Sequence, residues 1–273
     1  MTGMLEIVDQ GNIPEIPLGP ESYELLGIPV ASIKMQEAID IVSSWVGSGL
    51  PPRLVTFSTV HMLVEGYKNP IFHKLLREMD MNCPDGMPLV WMGRLRSRGI
   101  DRVCGPDFMP EFCAATADRG YRHFFYGGAD GVAEEVIAAL KEKSPSLQIA
   151  GHYTPPFRPL TSEEDEAVTQ LINESNPDFV WVCLGCPKQE HWIAQHRRRI
   201  SAAALLAVGM AFDTTAGKKK RAPKLVRKLG IEWLHRLFQE PERLWRRYLV
   251  YNSLFLGLIV RELFAPSAST VEE

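Results

Sequence analysis

The sequence predicts an α/β fold: an open, doubly wound, mostly parallel sheet followed by a basic and then apolar C-terminal segment. Three observations predict it. Apolar runs alternate with helical patterns through most of the chain. Several of those runs are continuous rather than apolar at every second residue, as strands covered on both faces require. The cations, finally, gather near one end.

The strand candidates are LVTFS (54–58), HFFYGG (123–128), QIAG (148–151), FVWVCLG (179–185) and ALLAVG (204–209). Helical patterns lie between and beside them at about 61–78, 131–143, 163–175 and 188–200. Thr161 and Glu164 have the spacing of a capping box, in which each side chain bonds the other residue's backbone N–H at a helix start. Repeated βα units place ligands at the carboxyl ends of the strands. Residues 1–20, with Pro14, Pro17 and Pro20, read as an irregular arm. The body then runs over 21–217, a basic and apolar appendage over 218–264, and a polar tail over 265–273.

Composition excludes several classes. Of 273 residues 45% are hydrophobic and 23% charged, with 6 Trp and 12 Phe, which excludes a largely disordered chain. A net charge of -3 excludes a generically basic nucleic-acid binder. Five scattered cysteines do not make a disulfide framework. The opening MTGMLEIVDQ lacks the basic and apolar regions of a secretory signal, so a cytosolic, reducing setting is expected. The net charge hides an asymmetry: residues 218–247 carry +8 and the remainder -11. YLVYNSLFLGLIV (248–260) follows at once and falls short of the roughly 20 residues of a spanning helix. The segment is either a surface layer for an anionic membrane or a solvated basic helix followed by a core-packing one.

Four segments could carry chemistry. GGADG (127–131) sits at a strand-to-helix turn, where free N–H groups attract phosphate, although an ordinary βα turn has the same look. In CLGCPKQEHW (183–192), Pro187 suits a first helical turn and would set Lys188, Gln189 and Glu190 at the mouth of the sheet, suited to a sugar or diphosphate. Cys183 and Cys186 lack a second pair to complete a zinc site, and His191 and His196 do not share a helix face. In CPDGMP (83–88), Asp85 is either an Asx-turn residue or a catalytic base. Arg102 and Asp107 of RVCGPD form an ion pair or bind anions.

Taken together, TFSTVH (56–61), PDG (84–86), RVCGPD (102–107), YGGADGVAEEV (126–136), CLGCPKQE (183–190), VGMAFD (208–213), RAP (221–223), EWLHRL (232–237) and EPERLWRRYL (240–249) resemble the bacterial WecG/TagA/CpsF glycosyltransferase family. Order and spacing hold from about residue 25 to 264. The chain departs from the family pattern at Ser58, where the family has Asn, at Cys83-Pro84, where it has Asn-Ala, and at Met210, where it has Gly.

The resemblance implies a Rossmann-like domain with a C-terminal helical appendage that engages the membrane. It also implies inverting transfer of a sugar, N-acetylmannosamine, its uronic acid or glucose, from a UDP-sugar to a polyprenyl-diphosphate-linked sugar in cell-surface polysaccharide synthesis. By resemblance Asp85 is the base, and Thr56 and Gln189 shape the catalytic pocket. Ser58, Arg102, Asp107, Gly127, Gly128, Lys188, Glu190 and Arg221 are expected to bind substrate, while Arg236, Arg243, Arg246 and Arg247 meet the acceptor or membrane. The sequence has no Asp-x-Asp metal triplet, so no cofactor or metal is expected, and the leaving diphosphate is assigned to backbone N–H groups near Gly127 and Gly128 and to Arg102 and Arg221. The expected partners are a nucleotide-sugar, the lipid-linked acceptor and an anionic membrane surface, with no nucleic acid; the expected place is the inner face of the plasma membrane. An NAD-dependent oxidoreductase is the alternative that βα alternation and GGADG allow. It lacks the full glycine fingerprint.

Overall fold

A computed structural model describes residues 19–96, 99–219, 221–223, 226–227 and 230–264, with residues 236, 239, 243, 247, 263 and 264 described by backbone alone. The N-terminal arm up to residue 18 and the tail from 265 lie outside the described residues.

The chain opens with a hairpin, β1 (Ser22–Leu25) and β2 (Ile28–Ala31), then α1 (Met35–Ser44), β3 (Arg53–Ser58), α2 (Val60–Lys68) and α3 (Pro70–Arg77). Next come β4 (Met81–Pro84), α4 (Met87–Arg96), α5 (Gly105–Thr116), β5 (Arg122–Gly127) and α6 (Val132–Lys143). The second half holds β6 (Gln148–Tyr153), α7 (Ser162–Glu174), β7 (Phe179–Cys183), α8 (Lys188–His196), β8 (Ala204–Ala207) and α9 (Ala211–Thr215). Beyond it lie α10 (Glu232–Gln239), α11 (Pro241–Trp245), a π-helical turn (Arg246–Val250) and α12 (Tyr251–Phe264).

Six strands form one all-parallel sheet in the order β4-β3-β8-β7-β5-β6. Its two faces bury different side chains of the same strands, as a period of two dictates. Val55 and Phe57, Phe125, Trp181 and Leu206 pack with α1, α5 and α6, while Leu54, Phe124, Val180 and Leu205 pack with α7 and α8. A third cluster joins the hairpin to α2, α3, α4 and α12. After β3 the chain leaves toward α2, and after the adjacent β8 it leaves toward α9 on the opposite face. The carboxyl ends of β3 and β8 therefore flank a switch point, where open α/β sheets bind ligands.

The predicted strands are all present, and the capping box forms, with Thr161 N–H donating to Glu164 Oε2 at 2.9 Å and Glu164 N–H to Thr161 Oγ1 at 3.2 Å. Three expectations are corrected. The helix expected over 61–78 is two, because Asn69 ends α2 and caps α3, whose first residue is Pro70. Pro187 precedes α8 rather than opening it, and α8 stops at His196, four residues early, where the ring bonds Trp192 O and Asp165. The apolar stretch 248–260 divides: Tyr251, Phe255 and Ile259 pack on the α2 side, while Leu249, Val250, Leu254, Leu256 and Val260 face outward. Among the described residues no helix is long and apolar enough to cross a membrane.

Gly127 shows why the first glycine of the GG turn is needed. It ends β5 with φ +108°, and a Cβ there would overlap the Cys183 carbonyl of β7. We predict that Gly127→Ala costs about 3 kcal/mol or more of stability, because strand backbone must shift to admit the methyl. Urea denaturation of the two proteins checks this.

Candidate active site

Asp85 is positioned by backbone. Its N–H donates to Ser58 O at 3.0 Å, continuing the β3–β4 ladder by one residue past Pro84. The next segment folds back alongside, with Val103 N–H donating to Pro84 O at 3.0 Å, and so brings Arg102 beside the Asp85 loop. Arg102 Nε then donates to Asp85 O at 2.5 Å and Nη2 to Asp85 Oδ1 at 3.0 Å. The Asp85 side chain retains 20% exposure and lines a pocket. Arg102 and Glu232 continue its polar wall; Met87, Pro88, Trp91, Trp233 and Tyr248 form an apolar one, and Thr59 and His61 stand at the start of α2. Aromatic surface beside a carboxylate suits a sugar ring, which has an apolar face and a polar rim.

Arg102 does not pair with Asp107. Its Nη1 donates to Glu232 Oε2 at 2.7 Å, whereas Asp107 takes Arg221 and Arg227, the latter at 3.0 Å. Arg221 Nε lies 3.5 Å from Glu232 Oε1. The result is an alternating chain: Asp85, Arg102, Glu232, Arg221, Asp107, Arg227. Burial alone would push the Glu232 and Asp107 carboxyls up. Arg102 holds Glu232, and Arg221 holds Asp107, below the usual carboxylate range. Gly230 lets the chain enter α10 against α4, for its φ is +74° and a Cβ would lie 2.6 Å from Met87 Cγ.

A second group of expected residues lies beneath the pocket. Thr56, Ser58, Gln189 and Glu190 are all buried at the switch point. Thr56 Oγ1 and Gln189 Nε2 donate to Glu190 Oε1 at 3.3 and 2.8 Å. Gln189 Oε1 accepts the N–H groups of Gly185 and Gly209, both at 3.2 Å, and so ties the loops after β7 and β8 together. Burial pushes the Glu190 carboxyl up. Glu190 Oε2 and Ser58 Oγ have no hydrogen-bond partner among the described residues. Of the three residues expected at the mouth of the sheet, Gln189 and Glu190 are therefore buried and Lys188 is exposed.

The structure therefore unites Asp85 with Arg102, Asp107 with Arg221, and Thr56 with Gln189 and Glu190. It does not unite Gly127 and Gly128 with them: β8 and β7 separate β5 from β3. Nor is the Gly128 N–H the free donor expected, since it donates to Cys183 O at 2.9 Å. The side chains of Arg236, Arg243 and Arg247 lie outside the described residues; Arg246 is exposed, its guanidinium 5.4 Å from the Trp245 ring. Sequence reasoning passed over Glu232, Arg227 and the aromatic wall. Glu232 opens the EWLHRL motif, which was signal enough to single it out.

A loop carboxylate beside guanidinium groups and aromatic surface, next to the switch point of a parallel sheet, is an arrangement suited to transfer of a sugar. A family model described as glycosyl transferase WecG/TagA/CpsF family matches residues 23–269, and the chain belongs to that family. Similar proteins include N-acetylglucosaminyldiphosphoundecaprenol N-acetyl-beta-D-mannosaminyltransferases of Bacillus and Staphylococcus. The Bacillus spizizenii protein is 33% identical over 186 residues, 68% of this chain and 70% of the relative. The Bacillus subtilis (strain 168) protein is 31% identical over 196 residues, covering 71% and 74%. That of Staphylococcus aureus (strain MW2) is 29% identical, covering 71% and 72%. Nothing in these comparisons supports the oxidoreductase alternative.

One prediction concerns acid. Carboxyls held below their ordinary range stabilise the fold above that range, and the contribution disappears as pH falls through the depressed values. Glu232 and Asp107 should thus loosen α10 from the body below about pH 4. Protease cleavage beyond residue 217, followed from pH 6 to pH 3, should rise in that window and rise less in an E232Q/D107N double variant.

Proposed function

We propose that this glycosyltransferase moves N-acetylmannosamine, or a closely related hexose, from a UDP-sugar to a sugar carried on polyprenyl diphosphate, with inversion at the anomeric carbon. The observation that carries the reading is Asp85, held by Ser58 O and Arg102 at the edge of an aromatic-walled pocket. Asp85 takes the proton of the acceptor hydroxyl as its oxygen attacks the anomeric carbon. The bond to the nucleoside diphosphate breaks on the opposite side, which inverts the centre.

The charge that develops on the diphosphate meets the guanidinium groups of Arg102, Arg221 and Arg227. In the structure each of them is bonded to a carboxylate, so the diphosphate must compete with Asp107 and Glu232 for them. Fixed cations of this kind serve the leaving group without a metal ion. Trp91, Trp233 and Tyr248 offer ring surface to the acceptor sugar.

The acceptor is lipid-bound, so the reading places the enzyme on the inner face of the plasma membrane. The outward row of Leu249, Val250, Leu254, Leu256 and Val260, next to a segment of charge +8, supports an interfacial contact with anionic lipid. In this position the apolar row lies in the headgroup boundary, and the pocket beside α10 stays close to the acceptor diphosphate.

Asp85→Asn should lower turnover of UDP-sugar with a polyprenyl-diphosphate N-acetylglucosamine acceptor by about 10²–10⁴-fold while binding UDP as before; unchanged turnover removes Asp85 as base. EDTA should leave turnover in place, and a strict need for added divalent ion would overturn the arginine account. A Leu249→Glu/Leu256→Glu variant, altered at outward positions, should stay folded and lose sedimentation with anionic vesicles. Retained sedimentation would put the membrane contact elsewhere.

A further inference from the structure

Glu232 comes from the C-terminal segment, 130 residues away in sequence from the arginine it grips, and only 9% of it is exposed. One Arg102 nitrogen serves Glu232 at 2.7 Å, while two others hold the Asp85 carbonyl and carboxylate. A guanidinium is planar and rigid, so fixing one edge fixes the direction of the rest. We propose that Glu232 is a positioning residue for the transfer: through Arg102 it aims the Asp85 carboxylate into the pocket, and it draws part of the guanidinium charge away from that carboxylate. The inference rests on the reading of Asp85 as base.

Two consequences separate this role from simple docking of α10. The first is orientation. Without Glu232, Arg102 keeps only Asp85 as a carboxylate partner among the described residues, and the pair is free to swing as a unit. Turnover then falls while donor binding does not weaken, because the loss of Glu232 removes a competitor of the diphosphate for Arg102 and Arg221. The second is charge. Arg102, Glu232, His61, Tyr248 and the buried thiols of Cys83 and Cys104 are among the titratable and charged groups around Asp85, with Arg221 behind Glu232. Removing the negative charge of Glu232 favours the ionised form of a neighbouring carboxylate, because a like charge is gone and the guanidinium is shared with one fewer partner. The acid limb of the pH–rate profile therefore moves to lower pH.

The experiment compares wild type, E232Q, E232D and D85N with a UDP-sugar donor and a polyprenyl-diphosphate sugar acceptor, from pH 4.5 to 9. For E232Q the expected result is a fall in kcat of about 10–100-fold, a donor KM unchanged or lowered but not raised, and an acid limb displaced downward by about half a unit or more. E232D keeps the charge and should restore most of kcat and the wild-type limb. It also keeps the question answerable should E232Q fail to fold. An unmoved limb in E232Q, or a loss that follows a lowered melting temperature and is shared by E232D, overturns the positioning role while D85N remains inactive. Turnover retained by D85N instead overturns the base itself, and this inference with it.

Discussion

One alternating row of charge organises the site: Asp85, Arg102, Glu232, Arg221, Asp107 and Arg227, each touching the next. Three carboxylates face three guanidiniums in a partly buried space, where unpaired charge would be costly to keep. Because the members come from three separated stretches of chain, the row forms only when the sheet, the RVCGPD turn and the C-terminal segment have all met. It ties the Asp85 loop to the appendage, whose Trp233 and Tyr248 line the same pocket.

The sheet supplies the fixed frame. Buried hydrogen bonds at its carboxyl end, from Thr56 and Gln189 to Glu190 and from Gly185 and Gly209 to Gln189, hold three strand ends in register beneath the pocket. Three of the residues that resemblance associates with the pocket, Thr56, Gln189 and Glu190, are buried members of this hydrogen-bonded set. The pocket's walls come from elements that lean over it, α2, α4, α10 and the π-helical turn.

Much of the frame was legible because it rests on local pattern. Continuous apolar runs marked most of the sheet, though not β6 with its QIAGHY, and Thr161 and Glu164 marked a helix start. The hairpin and β4 were not legible: their four-residue strands are too short to show a period and, unlike ALLA of β8, hold no continuous apolar run, and the hairpin turn places Leu26 at φ +53° before Gly27, where a glycine or asparagine would have signalled it. The break at Asn69-Pro70 was written in the sequence, but apolar spacing runs across it. Within the site, Asp85, Arg102, Asp107 and Arg221 could be picked out as residues, yet their partners could not. Pairing depends on which turn faces which, and Arg102 found Glu232 rather than the aspartate five residues away. Glu232 could have been singled out at the start of EWLHRL, but nothing in that motif says that it would meet Arg102.

The uneven distribution of charge along the chain has a mechanical consequence. A body of -6 over residues 21–217 joined to a segment of +8 over 218–247 is an electric dipole. In any negative field such a molecule is turned before it arrives, basic end forward, within a reach of about one screening length, near 8 Å in physiological salt. Repulsion of the acidic body and attraction of the basic end act as a torque, so collisions are sorted by attitude. The pocket, which draws Glu232, Trp233 and Tyr248 from or beside that basic segment, turns with it.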